Sequence, residues 1–119
     1  MGHTGVYDAA IKGVEATDKG IGIILEACQA HSYTLFVTAD HGNAEQMFGA
    51  NGQPHTAHTT NPVPFVMAEP ANKPHKRKFN PNAAGALCHV APTVLDLMGI
   101  EQPEEMSGES MLLPKTLEN

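Results

Sequence analysis

Residues 33–43 read Tyr33-Thr34-Leu35-Phe36-Val37-Thr38-Ala39-Asp40-His41-Gly42-Asn43. The first six form a β-branched and aromatic run, too short for a helix and followed at once by polar residues and a glycine. That is the pattern of a buried strand ending near Thr38. Just past this end stand a carboxylate and an imidazole, Asp40 and His41, where irregular backbone lets neighbouring side chains point the same way. Such placement suits an α/β fold, in which ligand sites form where loops leave the carboxyl ends of parallel strands.

Upstream, from Thr4 to about Ala30, Val6, Ala10, Val14, Ile21, Leu25 and Cys28 recur at helical spacing with Lys12, Glu15, Asp18, Lys19 and Glu26 between them. This predicts a long amphipathic helix with Thr4 as N-cap. Gly13, Gly20 and Gly22 each lower helix propensity by roughly 1 kcal/mol relative to Ala, and close approach to a sheet would account for them. Downstream, Ala39 to Asn61 is rich in Gly, Asn, His and Thr without periodicity, and long loops inside compact domains are usually functional. Val63 to Ala68 is a second apolar run, bounded by Pro62 and Pro70. Asn72 to Asn82 then reads as a surface excursion. Leu87 to Ile100 returns to helical spacing through Val90, Val94, Leu95 and Met98, with Pro92 tolerable in the first turn and Gly99 as the stop. The tail after Pro103 should be mostly extended. Helix, strand, loop, strand and helix in that order give an α/β layer structure, expected as one domain over residues 1–119.

At 119 residues the chain is long enough to bury a core, and 41% hydrophobic with 17% charged residues excludes a chain disordered by composition. No apolar run approaches the ~20 residues that span a bilayer, so no membrane segment is expected. The net charge of −6 opposes binding to nucleic acid or to an anionic membrane surface, both of which need clustered cations. Two distant cysteines, Cys28 and Cys88, no glycosylation sequon and no signal-peptide pattern fit a reduced, cytoplasmic protein. Without Trp, the core must rely on Ile, Leu, Val, Met and Ala.

Three clusters could carry chemistry. One is Asp40 and His41, the second brings His55 and His58 at the far end of the same loop, and the third is His3, between Gly2 and Thr4. Neutral imidazole with carboxylate suits Zn, Mn, Fe or Co, whereas oxygen ligands alone suit Mg or Ca. The plainer alternative is that the seven histidines are surface or capping residues. His31, His75 and His89 are of that kind and are assigned no function. Lys73, His75, Lys76, Arg77 and Lys78 read as a solvated face rather than a phosphate site. Cys28 and Cys88 fall on apolar helical positions as core fillers. Ser32, Ser107 and Ser110 lack a nucleophile-elbow context.

Gly2-His3-Thr4-Gly5, Thr38-Ala39-Asp40-His41-Gly42-Asn43-Ala44-Glu45 and Thr56-Ala57-His58-Thr59-Thr60-Asn61-Pro62-Val63-Pro64 resemble three consecutive signatures of the cofactor-independent phosphoglycerate mutases, in the alkaline phosphatase superfamily. Pro103-Glu104-Glu105-Met106-Ser107-Gly108 resembles their ending. The resemblance implies part of a three-layer α/β/α phosphatase domain with a mostly parallel sheet, specifically its C-terminal portion. It further implies interconversion of 3-phosphoglycerate and 2-phosphoglycerate in glycolysis through a phosphoserine, with two divalent metal ions, usually manganese, while Mg, Co or Zn stay open. Carried over by position, His3 and His58 would bind one ion and Asp40 and His41 the other. The ligand directly precedes Thr59-Thr60-Asn61-Pro62, so it is His58 and not His55.

In that family an Asp ligand stands before Gly-His-Thr-Gly. The nucleophilic Ser, an Asp of the second metal site and the phosphoglycerate-binding transferase domain also lie in earlier sequence. None has a counterpart among these 119 residues. The expectation is therefore a chain with four metal ligands, no catalytic nucleophile and no activity by itself, prone to self-association through an exposed sheet edge. Alternatives are another superfamily phosphatase or phosphopentomutase, or a non-catalytic metal-binding subunit completed by a separate N-terminal chain. An imidazole coordinates only when neutral, so acid should release the metal.

Overall fold

A computed structural model describes residues 7–46 and 58–115. Thr4 as N-cap, His3 and His55 lie outside the described residues. The elements run α1 (Tyr7–Ala30), β1 (Leu35–Thr38), β2 (Phe65–Ala68), a short 3₁₀ turn (Leu87–His89) and α2 (Val90–Met98). The chain forms two compact units, Met1–Pro74 and His75–Asn119.

In the first unit, α1 ends as its sequence requires. Ser32 takes the left-handed conformation, φ 61, and Tyr33 N–H donates to the Cys28 carbonyl at 2.8 Å, closing the last turn in a Schellman-type cap. The Gln29 side chain ties the helix to the chain after β2: its amide nitrogen donates to the Glu69 carbonyl and its oxygen accepts from Ala71 N–H, both at 3.1 Å. Ala10 is the one buried residue among those described in α1. Ile21, Leu25 and Cys28 are half-buried, and Val14 of the expected apolar stripe is exposed. Within this chain, a Cβ at Gly20 or Gly22 of α1 would meet nothing within 4 Å, so no element among the described residues packs closely on them.

The two strands pair antiparallel, with Leu35 opposite Ala68 and Thr38 opposite Phe65. The mostly parallel sheet expected of the larger domain is not seen among the described residues, whose one strand pair is antiparallel. Parallel pairing needs a crossover that carries the chain back to the starting end of the sheet, whereas here the chain reverses on itself and pairs again at Gly42 and Thr59, also antiparallel. Phe36 and Phe65 stack across the ladder with ring centroids 5.5 Å apart, and the Thr38 hydroxyl donates to the Pro64 carbonyl at 2.8 Å. The architecture is α/β, with a small antiparallel sheet among the described residues.

The second unit is built on α2. Pro92 sits in its first turn, where the missing N–H has no intrahelical partner to lose. Gly99, φ 72, and Ile100 close its end through bonds to the Asp96 and Leu95 carbonyls. Thr93 is 0% exposed; its hydroxyl donates to the His89 carbonyl at 2.7 Å and accepts from Met111 N–H at 2.9 Å, so the tail is pinned to the helix. His89 Nδ1 accepts from Glu109 N–H at 3.0 Å, which gives this histidine a structural task. Gly108 lies so close to the Cys88 carbonyl that a Cβ there would overlap backbone.

Two expectations need correction in this unit. Arg77 is not part of a solvated face. Its side chain is 11% exposed, it pairs with Asp96 at 2.9 Å, and it donates to the Leu113 carbonyl at 3.0 Å. The ion pair crosses 19 residues of sequence, so no local charge pattern reveals it. Cys88 is exposed rather than a core filler, because the 3₁₀ turn before α2 shifts it off the helical stripe.

Burial alone would raise the Asp96 carboxyl, but the Ser110 hydroxyl, donating at 2.6 Å, and the Arg77 guanidinium outweigh it and hold the group below its ordinary value. A lowered folded value means that the stabilisation is fully present above about pH 4 and is lost as pH falls through the folded pKa. Denaturant unfolding from pH 7 to pH 3 should show this acid loss, and Asp96→Asn should flatten it.

Candidate metal centre

β1 ends at Thr38, and the chain bends through Asp40 and His41 into a buried Gly42. His41 Nδ1 lies 3.0 Å from the Gly42 carbonyl. A carbonyl only accepts, so Nδ1 carries the hydrogen and the neutral ring keeps its lone pair on Nε2. That nitrogen is 3.5 Å from Asp40 Oδ1, with the Asp40 side chain 81% exposed and His41 28% exposed.

The second cluster arrives through backbone. Thr59 N–H donates to the Gly42 carbonyl at 2.8 Å, and this bridge sets the preceding residue, His58, against His41. The two imidazoles stack with centroids 3.5 Å apart and planes 13° from parallel.

Glu45 closes the arrangement. Its Oε1 accepts from Asn43 N–H at 2.6 Å, and its Oε2 accepts from the Thr59 hydroxyl and from Asn61 Nδ2, the latter at 2.9 Å. The hydrogen bonds from Thr59 first and Asn61 next hold this carboxyl well below its ordinary value, at about 2. A Cβ at Gly42 would fall on the Thr59 hydroxyl and the Glu45 carboxylate, so any larger residue there would displace them.

Of the residues singled out from sequence, Asp40 lies beside His41 and His58 stacks on His41, while His3 and His55 fall outside the described residues. Among the described residues, no group of three or more His, Cys, Asp or Glu side chains converges as a ready-made metal cage. Glu45, Thr59 and Asn61 lie inside the motifs, but the sequence reading assigns them no role. A carboxylate in a turn next to Asp-His, with a Thr-Thr-Asn run at the loop's far end, is the signal that could have found them.

The donor set fits a divalent ion. Carboxylate oxygen and neutral imidazole suit first-row metals, and a ring fixed through its other nitrogen by a backbone carbonyl is the usual support of a metal-binding histidine. Metal–ligand bonds of about 2.1 Å reach together across at most about 4.2 Å, enough to bridge the 3.5 Å between Asp40 Oδ1 and His41 Nε2.

A sequence profile of the metalloenzyme superfamily matches residues 1–102, and the chain belongs to that superfamily. Within it, the chain resembles phosphoglycerate mutases. The chain is 53% identical over 94% of its length to the 2,3-bisphosphoglycerate-independent phosphoglycerate mutase of Brugia malayi and 54% identical over 94% to that of Caenorhabditis elegans. It spans 21% and 20% of the length of those two relatives. A crystal structure of Leishmania mexicana phosphoglycerate mutase, obtained at low cobalt concentration, superposes with a TM-score of 0.81 at 31% identity. The match covers 96% of this chain and 23% of that one. No helix among the described residues is long and apolar enough to cross a membrane.

The Glu45 geometry makes a direct prediction. In a carboxyl ¹³C titration Glu45 should stay ionised down to about pH 2, against the ordinary 4.5. Because its folded value is lowered, its contribution to loop order is fully present above 4.5 and fades only as pH falls through about 2. Thr59→Val, which removes the first of its donors, should move the midpoint up toward the ordinary value.

Proposed function

We propose that this chain is the C-terminal portion of the metal-binding phosphatase domain of a cofactor-independent phosphoglycerate mutase. Such an enzyme interconverts 3-phosphoglycerate and 2-phosphoglycerate in glycolysis through a phosphoserine. The observation that carries the proposal is the meeting of Asp40, His41 and His58 from the two ends of one loop at the end of β1. The names of relatives about half identical over nearly the whole chain support it. In the whole enzyme the small antiparallel pair would join a larger, mostly parallel sheet with helices on both faces, in a cytoplasmic protein.

In this proposal His3 and His58 serve one divalent ion and Asp40 and His41 the other, with manganese favoured and Mg, Co or Zn open. Ions bound there would neutralise the phosphoryl oxygens and stabilise the charge that develops in transfer. The chain's own part is orientation. The Gly42 carbonyl fixes the His41 ring so that Nε2 faces the Asp40 carboxylate, and the Gly42–Thr59 bridge carries His58 to the same place. The nucleophilic serine and the groups that hold phosphoglycerate would be supplied by the rest of the enzyme.

The purified chain with manganese should give no turnover of 3-phosphoglycerate. Activity should appear when the remaining portion of the Brugia malayi enzyme is added as a separate polypeptide. His58→Ala should abolish that activity and weaken the manganese binding seen by calorimetry, whereas His55→Ala should leave both nearly unchanged. Turnover by the chain alone, or equal loss in the two variants, would contradict the assignment.

A further inference from the structure

We propose that Glu45 is a positioning residue, a latch that holds the Asp40-His41 turn and His58 together as one site. This deepens the metal assignment made above and, toward the metal, rests on it.

The geometry is specific. The Glu45 carboxylate binds one donor on its own turn, Asn43 N–H, and two on the opposite side of the loop, the Thr59 hydroxyl and Asn61 Nδ2, 14 and 16 residues away in sequence. Thr59 is thereby held twice, through its N–H by the Gly42 carbonyl and through its hydroxyl by Glu45. His58 is the residue before it, so little besides side-chain rotation is left to the ring, and it lies on His41 at 3.5 Å. Hydrogen bonds to an ionised acceptor are about twice as strong as neutral ones, so an exposed carboxylate can order a loop end that a neutral group would leave loose. The absent Cβ of Gly42 leaves the space that the Thr59 hydroxyl and the Glu45 carboxylate occupy. Both Glu45 oxygens accept from protein donors, and the latch gives the residue its part through His41 and His58.

The test compares the 119-residue chain with Glu45→Ala, Thr59→Val and Thr59→Ser. In metal-free protein, the stacked rings of His41 and His58 should show ring-current-shifted imidazole proton resonances. Glu45→Ala and Thr59→Val should lose these shifts, and Thr59→Ser, which keeps the hydroxyl, should retain them. The resonances of His89 should stay in place in all three and report that α2 and its tail remain folded. In cobalt titrations, the two disruptive variants should lose roughly tenfold to a hundredfold in affinity, the range for residues that support metal ligands, and Thr59→Ser should match the parent. Unchanged ring shifts in Glu45→Ala overturn the latch, as does parental cobalt affinity once the shifts are lost. Should the parent bind no cobalt in a His41-dependent way, the metal assignment fails instead, and the ring shifts alone decide the latch.

Discussion

The backbone hydrogen bond from Thr59 to Gly42 is the constraint on which the candidate site depends. It closes a loop whose two ends carry different ligand candidates, and it does so with the only side chain small enough for the approach. Without it, Asp40 and His41 at the end of β1 and His58 ahead of β2 would be separate polar residues on an irregular segment. With it, a carboxylate and two imidazoles occupy one corner of the first unit, and the Thr59 and Asn61 side chains turn a neighbouring carboxylate into a second fastening. The site is built from loop ends, but a strand pair fixes where those ends begin.

The second unit applies the same physics to a different end. Its tail carries little regular structure, yet Thr93 and Asp96 on successive turns of α2 capture it at Met111 and Ser110. Arg77 then joins Asp96 to the Leu113 carbonyl. Each of these polar groups satisfies a backbone or charged partner that burial would otherwise leave at a cost. In a chain without Trp, with few fully buried large side chains among the described residues, such polar fastenings take on part of the task that a larger core would perform.

The elements set by local pattern were legible in the sequence. The β-branched run before Asp40 marked β1, the run after Pro62 marked β2, and Pro92 with Gly99 bracketed α2 within a residue or two. That His58 comes back to the Asp40-His41 turn accords with the motif that orders them. What escaped was everything determined across long sequence separation. The direction of strand pairing is not encoded in either strand's own pattern, and here it is set by the reversal at Gly42 and Thr59. Arg77 resembled its lysine neighbours because its partner, Asp96, lies 19 residues further on. Glu45 had no periodicity to mark it, since its donors Thr59 and Asn61 sit 14 and 16 residues away in sequence.

The central claim is that this corner gathers ligands for a divalent ion. Crystals of the chain grown with cobalt and measured across the cobalt absorption edge would test it most directly. The account predicts an anomalous peak within bonding distance of Asp40 Oδ1 and His41 Nε2, with the His58 ring adjacent. Cobalt bound elsewhere on the chain, with the His41 and His58 rings still stacked and no peak beside them, would contradict it.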